Sequence, residues 1–357
     1  MNKIFGVILC GGKGERFWPK SRRRCPKQFI RLFERRSLIQ ATSDRIRKLC
    51  PIERQLFVAP EEFAALIKQE LGVKKENLIL EPFGRNTAPA IGLAAAALYR
   101  DNPEAVMVVL PADHLIEPES EFHKAVRLAV KVAKMGLLVT FGIIPTRPDT
   151  GYGYIEQGPL LLSKNGQTVY RVKTFREKPD RITAQRYLRS GRFLWNSGMF
   201  VWRVDTIMNA FARFMPDFHR MLMPLIQNGS RKARGVIRKI YDQVHSISID
   251  YAIMEKAENA AVIRAGFNWD DVGSWLALER RLPTDDKGNT TFGLWFGINT
   301  SNCIIYTDEG VVGTLGVKNL VIARSGDALL VSTKEALGDL KQLLSKIQEH
   351  PQGARYL

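Results

Sequence analysis

Short apolar runs alternate along the first half of the chain with stretches whose apolar residues recur every three or four positions. Ile4–Leu9, Gln55–Ala59, Leu78–Leu80, Val106–Leu110 and Leu137–Ile143 have the length and β-branched content of buried strands. Between them, Ser37–Leu49 (stopped by Pro51), Glu61–Leu71 (ended at Gly72), Ala90–Arg100 and Glu121–Ala133 carry the helical spacing. Asn86 or Thr87 suits the N-cap of the third helix, and Pro89 suits its first turn. Strands alternating with helices imply crossover connections, so the class is α/β, with a mainly parallel sheet and helices on both faces. Further on, Val169–Phe175 alternates apolar and polar as a half-buried strand does, and Trp195 and Phe200 read as core residues. Val204–Arg238 is mostly helical in pattern, and Ser248–Lys256 begins another helix capped by Ser248.

The pattern changes after Leu282. Pro283–Asn289 reads as a linker. Beyond it lie short strands separated by turns: 303–306, 308–310, 311–317, 320–323, 325–327 and 328–331. A helix from Lys334 to Ile347 follows, with Leu337, Leu340, Leu343, Leu344 and Ile347 on one stripe. The expected division is therefore a catalytic domain over 1–282 and a small β-rich C-terminal domain over 290–357 that ends in a helix.

A chain of 357 residues with 45% hydrophobic content supports a sizeable core. It holds no run of 18 or more apolar residues, so no membrane span is expected. The N-terminus, Met1-Asn2-Lys3 and a short apolar run, lacks the pattern of a signal peptide. Cys10, Cys25, Cys50 and Cys303 have neither CxxC nor metal-knuckle spacing, which fits free thiols in a reducing, cytoplasmic compartment. The formal net charge of +17 attracts anions of every kind. No nucleic-acid motif and no interleaved aromatics accompany the basic clusters, so specific nucleic-acid binding is not expected.

The candidate chemistry starts at the end of the first strand. Gly11-Gly12-Lys13-Gly14-Glu15-Arg16 follows Leu9-Cys10 and continues through Trp18-Pro19 to Pro26-Lys27-Gln28-Phe29. Glycine-rich turns free backbone N–H groups to form an anion-binding concavity, and Arg16 and Lys27 add fixed positive charge. The dinucleotide fingerprint is excluded because Phe17 stands at its last glycine, and no Gly-Lys-Ser or Gly-Lys-Thr completes a phosphate loop of the other common type. Asp113 follows the strand 106–110 at its carboxyl end, where open α/β sheets bind ligands, and a carboxylate there suits Mg²⁺. The glycines of Gly151-Tyr152-Gly153 permit close approach of a ligand to the main chain. In Arg176-Glu177-Lys178-Pro179, a carboxylate that can accept sugar hydroxyls adjoins a cation that can neutralise a phosphate. Asn196 offers both donors and acceptors, and Asp270-Asp271 before Val272-Gly273 forms a metal-site candidate.

Taken together, Gly11-Gly12-x-Gly14-x-Arg16, Trp18-Pro19 and Pro26-Lys27-Gln28-Phe29 resemble the signature of the sugar-nucleotide pyrophosphorylases. Arg85-Asn86-Thr87-Ala88-Pro89-Ala90, Glu177-Lys178-Pro179 and Asp271-Val272-Gly273 stand in that family's order, with Arg176 where the family usually has an apolar residue. The resemblance implies a Rossmann-like nucleotide-diphospho-sugar transferase fold and a short β-helix-like tail. It also implies a homodimer. The implied reaction is GTP plus mannose 1-phosphate giving GDP-mannose and diphosphate, with Mg²⁺ or another divalent cation. It places the nucleotide at Leu9, Gly11, Gly12, Gly14, Arg16, Lys27, Asn86, Thr87, Pro111 and Asp113. The sugar phosphate goes to Gly153, Glu177, Lys178 and Asn196. Arg16, Lys27 and Lys178 are the catalytic cations, and Asp113 and Asp271 are the metal ligands, with Asp270 ranked behind Asp271 and His114 not a ligand. The same residues are compatible with a nucleotidyltransferase for another base or hexose, and a non-catalytic sugar-nucleotide-binding subunit is the alternative outside the enzymes.

Overall fold

The computed structural model describes residues 3–12, 14–33, 35–164, 166–228 and 233–357. Met1 and Asn2, Lys13 of the glycine run, and residues 229–232 of the expected helical stretch lie outside the described residues. The first apolar run forms β1 (Ile4–Leu9), with β2 (Gln55–Pro60), β3 (Leu78–Glu81) and β4 (Val106–Pro111) laid parallel beside it. A short β5 (Leu115–Glu117) is followed by β6 (Leu138–Ile143), β7 (Tyr154–Lys164), β8 (Gln167–Arg176), β9 (Phe193–Arg203), β10 (Ala260–Arg264) and a short β11 (Asn268–Asp270). Nine of these build one sheet in the order β3-β2-β1-β4-β9-β6-β10-β8-β7, while β5 and β11 pair separately. The sheet is mixed: β9 runs antiparallel to both β4 and β6, and β7 and β8 close it as an antiparallel edge.

The chain builds β1, β2 and β3 outward in one direction and then returns to place β4 on the other side of β1. That reversal opens a crevice at the carboxyl ends of β1 and β4, the usual ligand position in such sheets. Leu9 and Pro111 are in register there, and Ala112 N–H donates to Leu9 O at 3.1 Å.

The alanine-rich segment forms the helix Thr87–Tyr99, three residues earlier than its apolar pattern suggests, because Asn86 Oδ1 caps Thr87 N at 2.8 Å. This helix is buried nearly all round, and its small side chains let the helices Val204–Phe214 and Pro216–Asn228 pack against it. On the other face the helix Glu119–Ala133 buries Phe122, Val126 and Ala129. The helix expected from Ser248 is a single π turn, Asp250–Met254, with Ser248 Oγ accepting from Tyr251 N.

The chain forms two compact units. One runs up to Gly11 and resumes over Gln40–Trp269; the other joins Gly12–Ile39 to Asp270–Leu357. In the second unit β12 (Thr290–Ile298), β13 (Ile304–Leu315), β14 (Leu320–Ser325) and β15 (Ala328–Thr333) form a sheet in that order. Its first three strands are parallel, which suits a β-helix-like coil. The pattern left 290–298 unassigned and split β13 at Asp308-Glu309-Gly310; those residues form a bulge inside one continuous strand, with Gly310 at φ 66°. The expected linker is an ordered turn: Asp285 accepts from Lys287 N and Asn289 N, and buried Asn289 donates to Thr300 O. The terminal helix starts later than expected, at Leu340–Glu349 after a 3₁₀ turn, and buries Leu340 and Leu344. Among the described residues, no helix is long and apolar enough to cross a membrane.

Candidate active site

In the second unit, Gly14 lies at φ 64° and begins the 3₁₀ turn Glu15–Phe17. A Cβ at this position would stand 2.5 Å from Lys27 N and 2.4 Å from Lys27 Cβ, so glycine is what lets the two segments touch. Ser21 Oγ donates to Gly14 O at 2.6 Å and fixes the loop from the other side. Lys27 Nζ donates to Asp271 O at 2.5 Å. Gly14, Arg16, Lys27, Asp271 and Gly273 thus line one cavity of about 380 Å³, two expected cations beside one expected acid. Lys341 from the terminal helix lines it too, and sequence reading missed it. Gly12, at φ 96°, has open space where a side chain would begin.

The two adjacent acids are built for different tasks. Asp270 is buried; it accepts from Val272 N at 2.7 Å and from Arg280 Nη2 at 2.9 Å. That hydrogen bond helps hold Val272 at φ 49°, a left-handed backbone that β-branched residues rarely adopt. Asp270 is therefore a fixed strut, and Asp271 is the member that faces the cavity. Beneath them Trp275 is fully buried, with its ring against Phe17 and its indole N–H donating to Trp18 O at 3.0 Å.

The first unit holds the other expected residues. Gly153, Glu177 and Asn196 meet where β7 begins, β8 ends and β9 begins; Tyr154 pairs with both Arg176 and Trp195. Asn196 N donates to Gly153 O at 2.8 Å, and Lys178 N donates to Tyr152 O at 3.2 Å. A Cβ on Gly153 would fall 2.2 Å from Glu177 Oε2. That oxygen is buried and accepts no hydrogen bond among the described residues, an orphaned acceptor of the kind a sugar hydroxyl satisfies. Burial, then the neighbouring Asp250 charge, pushes the Glu177 carboxyl up to about 7, with Lys178 opposing. Lys178 itself sits at φ 48°, and exposed Arg176 fits where the family has an apolar residue because it faces solvent at the strand end.

Asn196 differs from expectation. Its Oδ1 accepts from Gly198 N and Thr140 Oγ1, and its Nδ2 donates to Asp250 Oδ1 at 2.8 Å. Most of its capacity is spent inside the protein, holding Asp250 beside Glu177. Asp250, read only as a helix-dipole acid, is half-buried, and desolvation raises its pKa.

At the β1–β4 end, Asp113 follows Pro111 and Ala112, with its Oδ1 3.9 Å from His114 Nε2. Trp269 Nε1 donates to His114 Nδ1 at 3.1 Å, so that nitrogen is taken. Asn86, at φ 69°, spends its Oδ1 on Thr87 N; Thr87 Oγ1 accepts from Ile249 N, and Ala88 N donates to Ile247 O. The Thr87 and Ala88 amides are thus engaged within the protein, while the Asn86 side-chain NH₂ is a donor the loop can offer to a base. Glu81 at the end of β3 went unread. It is buried, accepts from Tyr241 Oη at 2.6 Å, and is pushed by burial up to about 7.

Asp113 belongs to the first unit and Asp271 to the second. Among the described residues no group of three or more His, Cys, Asp or Glu forms a ready-made metal cage. Mg²⁺ usually takes one or two carboxylates completed by phosphate oxygens, and each of these acids by itself is a hard oxygen donor of that kind.

A cationic cavity in the second unit and, in the first, a switch-point crevice and a buried orphaned acceptor are features that a nucleotide-dependent transferase of phosphorylated sugars uses. The chain belongs to the nucleotidyl transferase family, whose model matches residues 5–287; a second model, the MannoseP isomerase/GMP-like beta-helix domain, matches 295–347. A mannose-1-phosphate guanylyltransferase of Klebsiella pneumoniae is 41% identical over 97% of this chain and 74% of its own. One from Escherichia coli shares the same identity and coverage. A Thermus thermophilus crystal structure described as a mannose-1-phosphate geranyltransferase superposes with a TM-score of 0.88 at 37% identity, covering 97% of this chain and 99% of that one.

Proposed function

We propose that this enzyme transfers guanylyl from GTP to mannose 1-phosphate, releasing diphosphate and forming GDP-mannose. The observation that carries the reading is the cavity where Arg16, Lys27 and Asp271 meet, within a chain whose relatives bear that activity in their names. A phosphate oxygen of mannose 1-phosphate attacks the α-phosphorus in line, and the bond to the bridging oxygen breaks, so that diphosphate leaves with the electron pair. The nucleophile is already ionised at neutral pH, so no general base is needed, and catalysis consists of positioning and charge neutralisation.

Arg16 and Lys27 neutralise the GTP phosphates, and Leu9, Gly11, Gly12, Asn86, Thr87 and Pro111 seat the nucleoside. Lys178 neutralises the sugar phosphate, and Glu177 accepts from a mannose hydroxyl while Gly153 keeps that oxygen reachable. Asn196 acts by holding Asp250. Asp113 and Asp271 would hold Mg²⁺, which when bound supplies Lewis-acid neutralisation of phosphate oxygens. We place the enzyme in the cytoplasm as a homodimer; the exposed side chains of Leu294, Phe296, Ile298, Val311 and Leu315 give the second unit an apolar face that supports the dimer. Diphosphate release from each nucleoside triphosphate paired with each hexose 1-phosphate tests the reading: GTP with mannose 1-phosphate is the expected pair.

A further inference from the structure

We propose that Lys341, in the terminal helix, neutralises the diphosphate that leaves during the transfer, as a third phosphate-binding cation beside Arg16 and Lys27. The inference rests on the reading above for the identity of the nucleotide. All three cations line the same cavity in the second unit, where the acids are Glu15 and Asp271. Three positive charges against two negative leave the cavity cationic, and a polyphosphate chain is the complementary ligand. Among the described residues, neither Arg16 nor Lys341 forms an ion pair, so neither is committed to another partner.

The helix itself gives no reason for a lysine here. Lys341 is the second residue of Leu340–Glu349, where the positive end of the helix dipole disfavours a cation. Packing gives none either: Leu340 and Leu344 are buried, whereas Lys341 is exposed.

The helix is also fastened to the glycine loop's own segment. Trp18 Nε1 donates to Tyr356 O at 2.7 Å, and Arg23 Nη2 donates to Gln348 Oε1 at 3.1 Å. A cation on a helix anchored in this way reaches the cavity already positioned, which is the condition for stabilising charge as it develops. The bond broken lies between the α-phosphorus and the bridging oxygen, and the charge gathers on the departing diphosphate. Lys341 donates hydrogen bonds to that group without a net proton transfer.

The test is titration calorimetry of inorganic diphosphate with Mg²⁺ on the full chain, together with KM for GTP and for mannose 1-phosphate. Lys341→Ala is expected to weaken diphosphate binding about tenfold and to lower kcat/KM for GTP by at least about tenfold, through kcat as well as KM, with KM for mannose 1-phosphate moved less than about twofold. Lys341→Arg should restore most of the loss, which a merely structural role at an exposed position would not require. Unchanged diphosphate affinity in Lys341→Ala, or no diphosphate binding by the wild type, overturns the proposal. Lys341-dependent diphosphate binding in an enzyme that does not use GTP would overturn only the guanylyltransferase reading.

Discussion

Replacing Gly14 by alanine separates the loop's role in positioning Lys27 from its role in the fold. The residue sits at φ 64°, where an L side chain costs about 1–2 kcal/mol. The new Cβ would begin 2.5 Å from Lys27 N, and ordinary contact starts near 3.4 Å, so Lys27 must retreat by about 1 Å. Crowding of that kind typically adds about 1–3 kcal/mol, giving a total of about 2–5 kcal/mol. A displacement of about 1 Å in a positioning group costs on the order of 100-fold in rate. Gly72→Ala is the control: it has the same φ of 64°, but nothing lies within 4 Å of its Cβ. Urea unfolding and initial rates of diphosphate release read both effects. Gly72→Ala should lose about 1–2 kcal/mol and keep its turnover, whereas Gly14→Ala loses both. Turnover in Gly14→Ala within about threefold of the control would refute the argument that this glycine places Lys27.

The paired acids and the buried acids give two more predictions. Asp271→Ala should abolish Mg²⁺-dependent turnover at nearly wild-type stability; Asp270→Ala should instead lose about 2–3 kcal/mol, because Val272 N and the Arg280 guanidinium lose their acceptor. Unfolding curves and rates of the two variants check this, and the reverse ranking would show that the carboxylates are misassigned. Glu177 and Glu81 are acids raised from 4.5 to about 7 in the folded state, so the stability they contribute is present below about pH 4.5 and lost as pH rises through 7. Thermal midpoints should fall by a few degrees between about pH 5 and about pH 8, and fall less in Glu177→Gln; an unchanged pH slope in that variant would remove Glu177 from the account.

The strands flanking the glycine loop and the helix after Asn86 were legible because their signals are local: apolar runs, capping residues, glycine and proline at turns. The loop-borne site residues were legible for the same reason, since each occupies a short string of distinctive chemistry. Residues supplied by tertiary structure were not. Lys341 looks like any solvated lysine until the terminal helix brings it beside Arg16 and Lys27. Asp250 and Glu81 carry no local mark of their surroundings, because their partners Asn196 and Tyr241 lie far away in the chain. Asp308-Glu309-Gly310 has turn composition, and only pairing with β12 shows it to be a bulge. The left-handed backbone of Val272 runs against its own residue type, so no propensity announces it; Asp270 supplies part of what holds it.

The central claim is decided by the specificity of diphosphate release. With Mg²⁺ present, kcat/KM for GTP with mannose 1-phosphate is expected to exceed that of every other nucleotide and hexose 1-phosphate pairing by at least about tenfold. A comparable preference for another pairing, or no diphosphate release from any, would contradict it.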